Sequence, residues 1–110
     1  KYTGIDISKR LVKECQERYP DHEFKVGKVE EMREKADLIF SYTTLEHIVE
    51  ADWEKAVKAL KRTGKIALII EPTDFQSRAH CHDHKYEESF HVLKKKKLSD
   101  KTMWLVDLEK

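Results

Sequence analysis

The chain has 110 residues, two cysteines and a formal net charge of +1, with 39% hydrophobic and 39% charged residues. The apolar share is enough for a core and excludes a disordered chain, and the near balance of charge gives no reason to expect a nucleic-acid partner or a membrane surface. Cys15 and Cys81 are too few for a disulfide scaffold and fit a reducing, cytoplasmic setting, while the longest apolar run, residues 66–70, is far too short to cross a bilayer.

The length predicts one domain over residues 1–110. The first residue is Lys, so the sequence is expected to begin partway into a longer protein. Residues 2–7, "YTGIDI", read as a strand that ends in an acid, Asp6. Ser8 can cap the helix that follows, where Leu11, Val12, Cys15 and Tyr19 share one stripe and Lys and Arg fill the other side. Pro20-Asp21 stops that helix. A second strand at 22–26 closes at Gly27, and the polar stretch "VEEMREK" leaves room for a helical turn or two. Residues 36–42, "ADLIFSY", are nearly continuous in apolar residues, the pattern of a strand buried on both faces. "TTLEHI" follows as a loop. A second helix starts near Asp52, carries Trp53, Val57 and Leu60 on one face, and closes near Gly64. Residues 65–71, "KIALIIE", form a fourth buried strand, ended by Pro72. The polar, His-rich segment 73–90 reads as an insertion, and residues 91–99 and 101–109 as a hairpin turning at Ser99-Asp100. Strands alternating with helices predict an α/β fold with a mostly parallel sheet, completed by an antiparallel hairpin.

The ordered set "GIDIS", "FKVGKVEEM", "ADLIFSYTTLEHI", "GKIALIIEP" and a terminal hairpin resembles the S-adenosylmethionine-dependent methyltransferases with a Rossmann-like seven-stranded sheet. The resemblance covers nearly the whole chain. It implies a mostly parallel sheet with helices on both faces, and methyl transfer to an O, N or C nucleophile on a small molecule that enters over residues 43–48 and 73–91. It implies that Asp6 accepts hydrogen bonds from the two ribose hydroxyls of the cofactor, as a carboxylate does with good geometry, and that Ile7 packs on the adenine. Lys28 stands where the family often has an acid for the adenine amino group. An ammonium cannot accept that bond, so the contact is expected to move to Glu30 or Glu31, with the Val29 amide still available to a ring nitrogen. Ser41, Tyr42 and Thr43 match the stretch beside the methionine part of the cofactor, and Glu46 and His47 the "LEH" signature that opens the substrate side. The family order, 3-2-1-4-5-7-6, also places residues 91–99 at the sheet edge, where lysines 94–97 block aggregation. An RNA-facing basic patch is the rival reading of those lysines.

The family's first strand and glycine-rich turn have no counterpart: glycines occur only at 4, 27 and 64. The strands at 2–7 and 36–42 would each expose an edge, so either an upstream segment, a partner chain or a second copy is expected to complete the sheet, or the sheet closes up differently.

Four further readings concern single residues. The "HCHDH" stretch, His80 to His84, has zinc-ligand residue types but poor spacing and no second cluster, so no metal is assigned. A substrate-facing loop with His84 as a base and His82 against the substrate is the sharper reading, an inert polar loop the blander one. His47 is taken as a second candidate base, weighed against a plain helix-start side chain. Cys15, Trp53 and Trp104 read as core. Two rival functions stand beside methyl transfer: an inactive methyltransferase-like binding or scaffold protein, favoured by Lys28 and the missing turn, and an NAD(P)-dependent Rossmann-type enzyme, disfavoured by the terminal hairpin.

Overall fold

The structure is a computed structural model that describes residues 1–72 and 82–110. β1 (Thr3–Asp6) pairs in parallel with β2 (Glu23–Val26), and α1 (Lys9–Arg18) connects them. Ser8 caps α1 by accepting from the Leu11 amide at 3.2 Å. Of the expected stripe only Val12 is buried and Cys15 half-buried; Leu11 and Tyr19 are exposed. A two-stranded sheet is too narrow to cover the whole stripe.

Four strands form a second sheet, β3 (Ala36–Tyr42), β4 (Gly64–Pro72), β6 (Lys101–Asp107) and β5 (His91–Lys97), in the spatial order β3-β4-β6-β5. β3 and β4 are parallel, and β6 is antiparallel to both β4 and β5. The expected terminal hairpin is therefore present, its turn closed by the Leu98 amide on the Lys101 carbonyl at 2.8 Å.

One face of this sheet holds the core. Ala67, Ile69, Trp104 and Val106 project onto Trp53, Ala56, Val57 and Leu60 of α2 (Glu50–Thr63), and α3 (Tyr86–Ser89) adds Tyr86 beside Phe90. Gly64 joins α2 to β4 where there is no room for a side chain, since a Cβ there would stand 2.8 Å from the Ile39 side chain. The two sheets are tied through the 3₁₀ turn Val29–Glu31, where the carbonyls of Glu30, within the turn, and Met32, just after it, accept from the Arg62 guanidinium of α2 at 3.2 and 2.8 Å.

The other face differs from the sequence reading. β3 is not buried on both sides: Leu38 and Phe40 are 59% and 60% exposed, and Tyr42 is bare as well. Ile66, Leu68 and Ile70 continue this face by register. The physical reason is a missing neighbour. Among the described residues β3 pairs with β4 alone, β1 with β2 alone, and α2 and α3 pack on the opposite face of the four-stranded sheet.

Candidate functional site

Within each parallel pair the carboxyl ends share an edge, and the chemistry-bearing residues collect there. Open parallel sheets bind ligands outside these ends, where the chain reverses its direction of strand addition. After β1 come Asp6, Ile7 and Ser8; after β2, Lys28 and Val29; after β3, Thr43 and Thr44; and β4 ends on Glu71-Pro72.

Asp6 is exposed. Its Oδ1 accepts from the Ser8 amide at 2.8 Å, and its carbonyl accepts from the Gly27 amide at 3.0 Å. The same side chain thus steadies the start of α1 and presents a carboxylate at the edge. Ile7, next along, is 69% exposed, an apolar surface with nothing on it. Lys28 is exposed, whereas the Val29 side chain packs inward against the α2 core.

Ser41 is buried on the core face, so its hydroxyl does not open to the edge. Tyr42 projects from the bare face, with Lys101 Nζ 5.9 Å from its ring centre. Thr43 holds a positive φ of 49°, unusual for a β-branched residue. Its amide donates to the Ile70 carbonyl at 2.8 Å. Strained backbone of this kind persists only where surrounding contacts over-determine it.

The turn Leu45–His47 follows directly. Leu45 and Ile48 plug it into the core, His47 faces outward, and Glu46 is buried. The Glu46 amide donates to Glu71 Oε1 at 2.9 Å, and its carbonyl accepts from the His82 amide at 2.7 Å. Glu71 is 1% exposed, and its Oε2 has no hydrogen-bond partner. Burial, reinforced by the Glu46 charge, pushes its carboxyl up to about 8. Burial raises the Tyr86 phenol far above its ordinary range, and the charges of Glu71, Asp83 and Glu46 add to the effect.

His84 is the sequence expectation that changes most. Its ring is buried and stacks on Trp53 at 3.8 Å and 4°. Nε2 lies 2.9 Å from the Ile48 carbonyl, which can only accept, so Nε2 carries the proton. Nδ1 stands 3.4 Å from a Glu50 carboxylate oxygen and has no hydrogen bond. Burial outweighs Glu50 and lowers the pKa, which favours the neutral ring. This placement makes His84 part of the wall and not an open base. His82 is half-buried, its ring 6.2 Å from that of His84.

His80 and Cys81 lie outside the described residues. Among the described ones, no group of three His, Cys, Asp or Glu is placed to hold a metal. No helix there is long and apolar enough to cross a membrane. A cleft of about 440 Å³ opens at the amino ends of β3 and β4, against Lys35, Asp37, Arg62 and Lys65, remote from the carboxyl edge. Glu71 and Tyr86 were missed from sequence as site residues. The available signal was an acid closing an apolar strand, the same signal that singled out Asp6.

A family model described as a methyltransferase domain matches residues 1–67. Solved structures match nearly the whole chain. A TehB-like SAM-dependent methyltransferase from Corynebacterium glutamicum is 14% identical with a TM-score of 0.74, covering 96% of this chain and 66% of that one. Magnesium protoporphyrin IX methyltransferase from Synechocystis, crystallised with bound SAH, is 13% identical with a TM-score of 0.74, covering 96% and 63%. TehB from Haemophilus influenzae is 10% identical with a TM-score of 0.69, covering 96% and 49%. At such identities the likeness is one of fold, the Rossmann-like α/β fold expected from sequence. The chain spans less than two thirds of the length of these structures. No curated protein matches the chain significantly.

Proposed function

The chain belongs to the methyltransferase domain family, and from that premise we propose that it takes part in S-adenosylmethionine-dependent methyl transfer to an O, N or C nucleophile on a small molecule. The observation that carries the reading is the edge after β1, where an exposed carboxylate at Asp6 is followed by the bare apolar side chain of Ile7. A carboxylate with an oxygen left after bonding Ser8 suits a pair of vicinal hydroxyls, and a naked isoleucine suits a purine face. The residues therefore fit the adenosine half of the cofactor. Lys28 departs from the pattern, and Glu30 or Glu31 is left to meet the adenine amino group.

When bound, S-adenosylmethionine supplies an electrophilic methyl group on a sulfonium. In this reading Asp6 and Ile7 orient the nucleoside, with the Val29 backbone beside the base. Ser41, through its backbone, and Tyr42 and Thr43 border the methionine end. His47, outward on its turn, takes the proton of the nucleophile, and Glu46 and His82 shape the substrate edge. Positioning provides most of the acceleration of an in-line displacement, and one base suffices.

The reading includes a strand and glycine turn seated between β1 and β3, from the same polypeptide or from another chain. The edges of β1 and β3 that are unpaired among the described residues support it, and the bare Leu38 and Phe40 point to a packed layer that would accompany it. It also places residues 1–110 in one domain, and a cytoplasmic setting suits its cysteine content. A binding or scaffold role is the second reading, favoured by Lys28 and the lack of a glycine turn in these residues.

Calorimetric titration of S-adenosylmethionine and S-adenosylhomocysteine, with intact mass recorded on the same sample, tests the proposal. The expected result is binding that Asp6→Ala weakens about 10- to 100-fold, the loss of one or two charge-assisted hydrogen bonds. Binding that ignores Asp6→Ala, or is competed by NAD, would overturn it. Absence of binding by a protein whose mass matches these 110 residues would turn the search to a partner.

A further inference from the structure

We infer that Glu71 and His84 are positioning residues that clamp the turn of residues 45–48 and so fix where Glu46 and His47 stand at the carboxyl edge. The local support of the turn is two backbone bonds, the His47 amide on the Thr44 carbonyl at 3.2 Å and the Ile48 amide on the Leu45 carbonyl at 3.1 Å. It is a single 3₁₀ turn with no side-chain cap on its N-terminal residue, Thr44. Other polar groups of the turn are held from outside. The Glu46 amide donates to Glu71 Oε1 at 2.9 Å. The Glu46 carbonyl takes the His82 amide at 2.7 Å. The Ile48 carbonyl takes His84 Nε2 at 2.9 Å.

The clamping groups are themselves anchored in rigid elements. Glu71 is in β4, paired with Thr102 of β6. His84 is stacked on Trp53 of α2, whose Nε1 donates to Ser89 Oγ of α3 at 3.0 Å. The turn is thereby referenced to β4, α2 and α3, three elements packed on one core. Side chains locked in this way hold a site more tightly than a free loop can.

Both clamping side chains keep one buried atom without a hydrogen bond, Oε2 of Glu71 and Nδ1 of His84. The clamp therefore works with both groups uncharged. The titratable groups that face Glu71 and its neighbour Tyr86 are Glu46 on the turn and Asp83 on the following segment, with Lys101 and Lys97 at neighbouring register positions of β6 and β5. Around His84 they are Glu50 of α2 and His82. Burial opposes charge on either group: it raises Glu71 to about 8 and lowers His84. The clamp is complete between those limits. Outside those limits Glu71 or His84 would carry a buried charge, a cost to the fold around the turn, although each charged form is itself the better partner for its backbone group.

The geometry stands independently of methyl transfer, but the consequence for a substrate rests on that reading. Amide resonances of ¹⁵N-labelled protein test it, followed from pH 6 to 9.5 for wild type, Glu71→Gln and Glu71→Ala. The expected result is a Glu46 amide that titrates with a midpoint near 8 in the wild type. In Glu71→Gln, which keeps a neutral acceptor, that titration vanishes while protection from hydrogen exchange remains. In Glu71→Ala the Glu46 amide exchanges at least about tenfold faster, as loss of its acceptor requires. Should Glu71→Ala fail to fold, His84→Phe keeps the stack on Trp53 and must still speed exchange in the turn. A Glu46 amide that does not respond to pH or to Glu71→Gln would overturn the clamp. S-adenosylhomocysteine titration of the same wild-type sample separates the two ideas. A titrating amide without binding would leave the clamp standing and turn the search for the cofactor site to a partner chain, and binding without a titrating amide would leave methyl transfer standing and overturn the clamp.

Discussion

Replacing Glu71 by Gln should flatten the pH dependence of stability. Glu71 is 1% exposed, and its carboxyl is raised from an ordinary 4.5 to about 8. The unfolded chain releases this proton near 4.5 and the folded chain holds it to about 8, so folding takes up a proton across that window. A group raised in this way is harmless below the lower value, and the protein loses stability as pH rises towards the upper one. At about 1.4 kcal/mol per unit, the full cost is on the order of 4–5 kcal/mol above pH 8, with roughly 3 already lost at pH 7. Gln cannot ionise and still accepts from the Glu46 amide. Its extra N–H has no partner, which lowers stability by a similar amount at every pH and leaves the slope untouched. Urea midpoints at half-unit steps from pH 4.5 to 8.5 isolate the effect, because all other titrating groups are common to both proteins. The wild type should fall away from Glu71→Gln by a few kcal/mol over this range. Two parallel curves would refute the buried neutral carboxyl and the reasoning built on it.

His84 acts on the opposite side. With its pKa lowered by burial, stability is present above the ordinary His range and is lost as pH falls through the folded value. His84→Phe should remove that acid-side loss in the same urea series while preserving the aromatic stack. Thr43→Gly relieves a positive φ at a β-branched residue and should raise stability by about 1 kcal/mol, read as a Tm increase of several degrees. Leu60→Ala, at a position 2% exposed, should lower stability by about 2–5 kcal/mol in urea. Phe40→Ser, on the bare face of β3, should cost less than about 0.5 kcal/mol in these 110 residues. A cost of several kcal/mol there would mean that something already covers the face.

The contrast between two acids shows what sequence could and could not carry. Asp6 and Glu71 have the same local signature, an acid ending an apolar strand, and both strands were placed from that apolar run. One acid is exposed and the other buried. The difference comes from residues far along the chain: the turn at 45–48 and Tyr86 of α3 close over the end of β4, whereas only the two-residue link Ile7–Ser8 follows β1 before its helix starts. His84 makes the same point. A His-rich stretch reads as chemistry because histidine is the residue type that titrates near neutrality, but Trp53, 31 residues earlier, takes the ring into a stack and the Ile48 carbonyl takes its proton. β3 is the complementary case. Its bounds, 36–42, were legible because a nearly continuous apolar run of this length fixes a strand. Burial was not, because "ADLIFSY" records what the strand is built to meet, and the partners of Leu38 and Phe40 are absent among the described residues. An apolar run so exposed is poorly suited to water as its final neighbour, so Leu38 and Phe40 support a further packed layer over this face of the sheet, while the backbone edge of β3, paired with β4 alone among the described residues, is what supports a further strand.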